Sequence, residues 1–298
     1  MRIAITGASG LIGSALCASL ASDGHQVLKL IRTASSSPDE LTWDVNKGLD
    51  KPSALEGIDA LVHLAGAGVG DKRWSDSYKK EIKESRVIGT ETISRTLANL
   101  NQPPSVLISA SAIGWYGDTG IEKVDEATPA ASGFLPEVVQ SWEAAADAAR
   151  SAGIRVVHPR TGLVMSSKGG ALAKLVPLFK LGLGSPLGTG RQYWSFISLS
   201  DEVKAIKYLI HKKEISGPVN LTAPTPVTNA EVSKTLAKLL HRPMLPIGVP
   251  SLILKTALGE FSQEVLGSTR VIPAVLQRNG FGFDHPTIAL ALKSALAK

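Results

Sequence analysis

The sequence predicts an α/β chain built on a doubly wound parallel sheet, with a smaller, mostly helical lobe at its C-terminal end. Three observations carry that prediction. A glycine-rich turn, GASGLIG, follows the apolar run Ile3–Thr6 and opens a helical pattern. Strand-like and helical patterns then alternate through the first two thirds of the chain, the rhythm of a parallel sheet covered on both faces. From about Gly169 the rhythm stops, and glycine and proline crowd the stretch GLGSPLGTGRQ.

Each element has its own signal. Ile3–Thr6, Gln26–Ile31, Ala60–Leu64, Ser105–Ala110 and Arg155–His158 are short apolar runs of the length expected for buried strands. Leu11–Asp23, Ser75–Leu100 and Leu135–Ala152 carry helical spacing between them, and Gly153 follows the last as a helix stop. DEVKAIKYLIHKK is a later amphipathic helix. A Thr- and Pro-rich turn at Thr222–Thr228 precedes an amphipathic helix over Asn229–Leu240. VPSLILKTALGE and STRVIPAVLQRNGF are both apolar at helical spacing. No internal repeat is visible, and the one low-complexity stretch is the short loop Ser35–Ser37.

Composition narrows the function classes. The chain has 298 residues, 44% hydrophobic and 19% charged, enough to bury a core and too apolar to be disordered. A single cysteine excludes a disulfide scaffold or a cysteine-rich metal site, and no metal is expected. No apolar run approaches the roughly 18–20 residues of a membrane span, so no membrane partner is expected. MRIAITG already reads as a core strand rather than a leader, which points to a cytoplasmic protein. The net charge of +6 raises the question of nucleic acid. The basic residues are scattered, however, and the densest run, Lys79 to Arg86, is interleaved with Glu81 and Glu84. Nucleic acid is not expected as a partner, whereas a modest basic excess suits a polyphosphate cofactor.

The glycine turn is the strongest chemical signal. Gly7 makes the tight turn, Gly10 lets backbone approach a pyrophosphate, and Gly13 lets the helix pack closely on the strand. The helix N-terminus behind them offers free N–H groups and a positive dipole end. A dinucleotide is therefore expected here. Where an NAD site places a carboxylate for the ribose 2′-hydroxyl, this chain ends its second strand on Arg32. A guanidinium suits a 2′-phosphate, so the expected cofactor is NADP(H).

With that turn, VHLAGAG and SASAIGWYG, the chain resembles the extended short-chain dehydrogenase/reductase superfamily. RWSDSYKKEIKESRVIGT, SWEAAA, GGALAKLVPLFKLGLGSPLGTGRQYWSFI and VPSLILKTALGEF narrow the resemblance to an atypical branch, the NAD-dependent epimerase/dehydratase-like family that ends in a C-terminal domain of unknown function. The resemblance spans essentially the whole chain. It implies an NADP(H)-binding domain over residues 1–168, completed by 193–222, a substrate-side loop and helix over 169–192, and a C-terminal lobe over 223–298. It implies cofactor contacts at Gly7, Ser9, Gly10, Leu11, Ile12 and Gly13, at Ile31 and Arg32, at Leu64, Ala65 and Gly66, at Glu81 and Arg86, and at Val164.

The usual catalytic pair of that superfamily, Tyr-x-x-x-Lys, is missing. Its positions hold Leu135 and Val139, neither of which can carry a proton. Tyr208 and Lys212 match the spacing, but they fall too late in the chain. Ser111 and Tyr116, just past a strand end, are the remaining catalytic candidates: Ser111 to bond a substrate oxygen, Tyr116 as a substitute proton donor. Glu143 and His63 read as structural, and His158 and Arg160 as holding backbone at the end of their strand. Arg191 and Trp194 are the substrate-side candidates, set against a solvated loop charge and an ordinary core residue. The expected function is an NADP(H)-binding oxidoreductase or epimerase-like enzyme on a small molecule, working as a monomer or homodimer. The alternative is a non-catalytic NADP(H)-dependent sensor or regulator, and the cell-division labels on some bacterial members of the family extend it to cell division.

Overall fold

The computed structural model describes residues 1–35 and 37–297. Ser36, within the Ser35–Ser37 loop, and Lys298, the last residue assigned to the lobe, lie outside the described residues.

Strand β1 (Arg2–Thr6) leads through the glycine turn into α1 (Leu11–Ser22), and β2 (Gln26–Ile31) follows. Two strands absent from the sequence reading come next, β3 (Glu40–Asp44) and β4 (Gly48–Leu49). Then come β5 (Ala60–His63), α2 (Asp76–Ala98), β6 (Val106–Ser109), β7 (Ser111–Ala112) and β8 (Lys123–Val124). The region expected as one helix over Leu135–Ala152 is two, α3 (Phe134–Ala144) and α4 (Asp147–Ser151). The break has a cause: the Ala149 N–H, at the start of α4, donates to Ser94 Oγ of α2 at 2.8 Å. Strands β9 (Arg155–Thr161) and β10 (Leu163–Met165) precede α5 (Gly170–Lys180), β11 (Tyr193–Trp194), β12 (Phe196–Ser198), α6 (Leu199–His211) and β13 (Gly217–Leu221). The chain ends with β14 (Val227–Thr228), α7 (Asn229–Leu239), α8 (Ser251–Leu258), α9 (Ser262–Leu266), β15 (Arg270–Val271), α10 (Ala274–Arg278) and α11 (Ile288–Leu296).

The main sheet runs β13-β9-β6-β5-β1-β2-β3-β4 and is parallel except for β4, with β7 added against β9. The order jumps outward in both directions from β1, which makes it doubly wound. Alternation along the strands decides which core each residue joins. Ile3, Ile5, Val62 and Ile108 pack with Leu16 and Leu20 of α1 and Ile206 and Leu209 of α6. Ala4, Leu61, Leu107 and Val156 face the other way, toward Trp43, Ile93 and Leu97 of α2, and Ala149.

The C-terminal lobe has its own core of Leu172, Val176, Phe179, Trp194, Phe196, Val232, Leu236 and Leu292. This redraws the expected boundary. β11 and β12 pair with β14 and β10 rather than with the main sheet, so Trp194 and Phe196 belong to the lobe. α6 and β13 complete the sheet and its cover, and Ile197 of β12, Leu276 of α10 and Phe281 also pack into the core of the sheet domain. The lobe is also less helical than expected near its end. Pro273, which lacks an N–H, confines the helix there to Ala274–Arg278 and leaves Arg270–Val271 to pair with β8.

Candidate functional site

The glycine turn forms a close-packed cradle. Gly7 sits at φ +68°, and an ideal Cβ there would lie 2.8 Å from the Leu64 carbonyl carbon. A Cβ at Gly13 would lie 2.1 Å from Gly7 O, so only glycine lets α1 approach the turn. The N-cap of α1 is Gly10, in extended conformation and with no side-chain cap. Its first N–H groups are therefore left for an anion. Thr6 holds the second wall: its Oγ1 accepts from the N–H of Leu64 at 3.1 Å and of Ala65 at 3.2 Å. His63 Nδ1 lies 2.7 Å from the same oxygen. The His63 ring is fully buried, edge-on to Trp43 and with no partner for Nε2, and burial holds its pKa down to about 4. It is a structural histidine that braces the cradle.

Around this cradle the expected cofactor residues gather. Ser9 and Gly10 are exposed, Leu11, Ile12, Leu64 and Ala65 are half-buried, and Gly66 is open at the strand end. Ile31 ends β2 half-buried, and Arg32 beyond it is exposed and in no ion pair among the described residues. Val164 lies half-buried on β10. Glu81 and Arg86 do not meet. Glu81 pairs with Lys72 at 3.4 Å on the surface. Arg86 lies 5.0 Å from the Trp142 ring and donates to Ile82 O at 3.0 Å, with its pKa lowered by burial to about 10. Its stem rests beside Gly66, within the cradle's outer rim. The donor set fits a dinucleotide: open N–H groups for the pyrophosphate, a glycine-lined approach, and a free guanidinium at the end of β2.

The catalytic candidates sit in one hydrogen-bonded net. Ser111 is buried, and its hydroxyl donates to Glu143 Oε1 at 2.6 Å. Arg160 clamps the same carboxylate with two bonds, Nε to Oε1 at 2.8 Å and Nη2 to Oε2 at 2.9 Å. The guanidinium is stacked 3.8 Å from the centre of the Trp115 ring. Its Nη1 donates to the Tyr116 hydroxyl at 3.1 Å, which in turn donates to Asn220 Oδ1 at 2.8 Å. Tyr116 is 3% exposed, and its hydroxyl is held between Arg160 and Asn220. Arg160 holds side chains rather than backbone. The Ser111–Glu143–Arg160–Tyr116–Asn220 net ties α3, β7, β9 and β13 together. Sequence reasoning took Glu143 as structural and missed that it accepts from the Ser111 hydroxyl; SWE alone carries no sign of that partner.

Where the resemblance looks for a tyrosine and a lysine, Leu135 and Val139 lie against Gly114, whose ideal Cβ would be 3.4 Å and 3.8 Å from them. Hydrocarbon fills that space. Tyr208 and Lys212 form no catalytic unit: the Tyr208 hydroxyl donates to Asn279 O, its ring packs on Phe281, and Lys212 stands over its face. Arg191 is exposed on its loop, and Trp194, at 7% exposure, is a core residue of the lobe rather than a pocket wall. His158 accepts at Nε2 from Arg150 Nη2 at 3.1 Å, and burial lowers its pKa to about 4. Glu202, in the first turn of α6, is fully buried, with Thr161 Oγ1 donating to Oε1 at 2.7 Å and Oε2 without a partner among the described residues. Burial pushes its pKa up to about 8.

The profile of the NAD dependent epimerase/dehydratase family matches residues 3–221, and that of a domain of unknown function, DUF1731, matches residues 249–295. The chain is 44% identical over 297 residues to the epimerase family protein Mb2239 of Mycobacterium bovis, covering 99% of this chain and 98% of that one. It is similar in structure to the human epimerase family protein SDR39U1 crystallised with NADPH, with TM-score 0.90, 30% identity and 99% of each chain covered. It also superposes on a nucleoside-diphosphate sugar epimerase from Corynebacterium glutamicum at TM-score 0.83 and 36% identity, covering 99% of this chain and 58% of that one. The cradle's glycines, the doubly wound sheet and these matches agree, and the chain belongs to the NAD dependent epimerase/dehydratase family.

Proposed function

We propose that this protein binds NADP(H) across the C-terminal ends of its sheet and passes hydride between the nicotinamide and a small molecule, as an oxidoreductase or epimerase-like enzyme. One observation carries the cofactor part: the α1 N-terminus has no side-chain cap, and Arg32 at the end of β2 is exposed and in no ion pair among the described residues. The NADPH in the human relative's crystals supports the same choice. Gly7, Ser9, Gly10, Leu11, Ile12 and Gly13 hold the pyrophosphate, Ile31 and Arg32 the adenosine end, and Leu64, Ala65, Gly66, Arg86 and Val164 the remainder. Glu81, turned to Lys72, takes a contact only by leaving that pair. Bound cofactor supplies or accepts the hydride. The chain's part is to position it and shield it, because Leu135 and Val139 put hydrocarbon where the usual proton relay stands. The proton at a reacting oxygen then comes from solvent or from the substrate itself.

A second reading, a non-catalytic NADP(H)-dependent sensor, has one specific observation in its favour: the hydroxyls of Ser111 and Tyr116 are both spent inside the closed net. Calorimetric titration with NADPH, NADP+, NADH and NAD+, repeated on Arg32→Ala, tests the shared step. Tight NADPH binding that falls roughly 10–100-fold in the variant is expected, the worth of a charge-assisted bond to phosphate. Absence of binding, or equal affinity for all four in both proteins, refutes both readings. Turnover of NADPH with any carbonyl compound in a substrate screen then selects the enzyme.

A further inference from the structure

Ten large hydrophobic side chains stand exposed among the described residues, and seven of them fall in two segments of the C-terminal lobe. Leu178, Leu181 and Leu183 lie at the end of α5 and just beyond it; Leu245, Ile247, Leu252 and Ile253 lie on the loop before α8 and on its first turn. The two segments run side by side. The Leu245 N–H donates to Gly184 O and the Val249 N–H to Pro186 O, both at 2.8 Å, and the Gly188 N–H returns to Val249 O at 2.9 Å. Ser185 Oγ adds a bond to Ile247 O at 2.5 Å. Leu181, Ile247 and Leu252 are each more than 70% exposed, so the rim presents aliphatic tips rather than partly covered core residues. Such a concentration on one rim is not the scatter of single apolar residues found on ordinary surfaces.

Positive charge accompanies both segments along the chain, although Lys174 turns away to bond Gly70 O and Glu231 and Glu260 flank the second. Residues 168–192 hold Lys168, Lys174, Lys180 and Arg191, and residues 232–259 hold Lys234, Lys238, Arg242 and Lys255 beside His241; neither stretch contains an Asp or a Glu. Their combined excess is larger than the +6 of the whole chain, so the rest of the protein is net negative. Among the described residues none of these cations is ion-paired. Lys180 immediately precedes Leu181, Arg242 stands three residues before Leu245, and Lys255 is one helical turn from Leu252.

Charge and hydrophobicity together choose the occupant. A second copy of the chain would set this cationic rim against itself. A nucleic acid would match the charge but has no use for seven aliphatic tips with no exposed aromatic among them. An anionic bilayer surface meets both requirements, with aliphatic side chains entering the interfacial layer and lysines and arginines at the headgroup phosphates. We propose that this rim of the C-terminal lobe, from Leu178 to Leu183 and from Leu245 to Ile253, docks the protein on an anionic lipid surface. No spanning segment is required, and no helix among the described residues is long and apolar enough to be one.

The test is co-sedimentation of the full chain with vesicles of phosphatidylcholine alone or with one-third phosphatidylglycerol. Two double variants, Leu181→Ser/Ile247→Ser and Lys180→Glu/Arg242→Glu, change only exposed residues, and thermal unfolding and NADPH titration check that each remains folded. The expected result is binding to the anionic vesicles alone, weakened by salt and reduced at least about tenfold in each variant. If the charge variant fails to fold, the serine pair decides. The proposal is overturned if the wild-type protein ignores anionic vesicles or the serine pair binds them unchanged. It is also overturned if the rim proves to be a self-association surface, seen as a dimer in sedimentation velocity that the serine pair dissociates. Salt-sensitive binding to duplex DNA that is indifferent to the serine pair and outcompetes the vesicles overturns it as well.

Discussion

Replacing Glu143 by Leu should cost this protein about 4 kcal/mol, a large share of the stability of an ordinary domain. The magnitude follows from what the carboxylate holds. Arg160, at 2% side-chain exposure, has both its strongest partners on Glu143, whose own side chain is 12% exposed. Removing one member of such a pair leaves a charge buried without compensation, which costs ~3–5 kcal/mol. Ser111 loses its acceptor in the same stroke, and a buried donor left unsatisfied adds ~1–3 kcal/mol unless a water enters. Arg160→Met should cost nearly as much. The double variant Glu143→Leu/Arg160→Met removes both charges and keeps most of the volume, so it should lose no more than about 2 kcal/mol. A cycle of urea unfolding curves, followed by tryptophan fluorescence because Trp115 lies under the guanidinium, measures the coupling directly. A coupling energy of at least about 3 kcal/mol is expected. Simple additivity, with a coupling below about 1 kcal/mol, would show that the net does not act as a brace and would return Ser111 and Tyr116 to the list of free hydroxyls.

Gly13→Ala should abolish NADPH binding in a calorimetric titration, because its Cβ would lie 2.1 Å from Gly7 O and the turn must open to admit it. Retained affinity would mean that the pyrophosphate sits elsewhere. Ser111→Ala should lower stability by about 1–2 kcal/mol and leave NADPH affinity within twofold, since the lost bond is to Glu143; a large loss of affinity would give the serine a cofactor role. Stability should peak near pH 6.5. His63 and His158, held near 4, contribute stability that is complete above 6.5 and lost as pH falls toward 4, ~3 kcal/mol each. Glu202, raised to about 8, works the other way, stabilising fully below 4.5 and losing its contribution as pH rises toward 8. Urea midpoints of wild type should therefore fall between pH 6.5 and 8 by the equivalent of ~2 kcal/mol, and Glu202→Gln should flatten that limb. An unchanged slope in the variant would remove Glu202 as its source.

What was legible in the sequence was what the backbone imposes. The glycine turn declares itself because three positions admit no side chain, and the strands beside it because buried runs must be apolar. β3 escaped notice although Leu41 and Trp43 alternate inward, since ELTWD is only five residues long and carries acids at both ends. The lobe boundary escaped because the partners of β11 and β12 lie far along the chain. The partners of the catalytic candidates escaped for the same reason. Ser111 is bonded across 32 residues to Glu143, and Tyr116 across 104 to Asn220. Sequence spacing shows that a hydroxyl stands near a strand end; it does not show which buried group accepts its hydrogen bond.

That net fastens α3 to the strand ends of the sheet. Here Leu135 and Val139 pack that helix through hydrocarbon against Gly114, and Glu143, two turns further on, fastens it to β7 and β9 through Ser111 and Arg160. The cradle at Gly7 to Gly13 is held by Thr6, His63 and the Leu64–Ala65 wall, which are bonded to one another through Thr6 Oγ1. Cofactor binding and the stability of the α3 brace should therefore respond to different substitutions, and a variant that lowers both in proportion would show that the two are one structure after all.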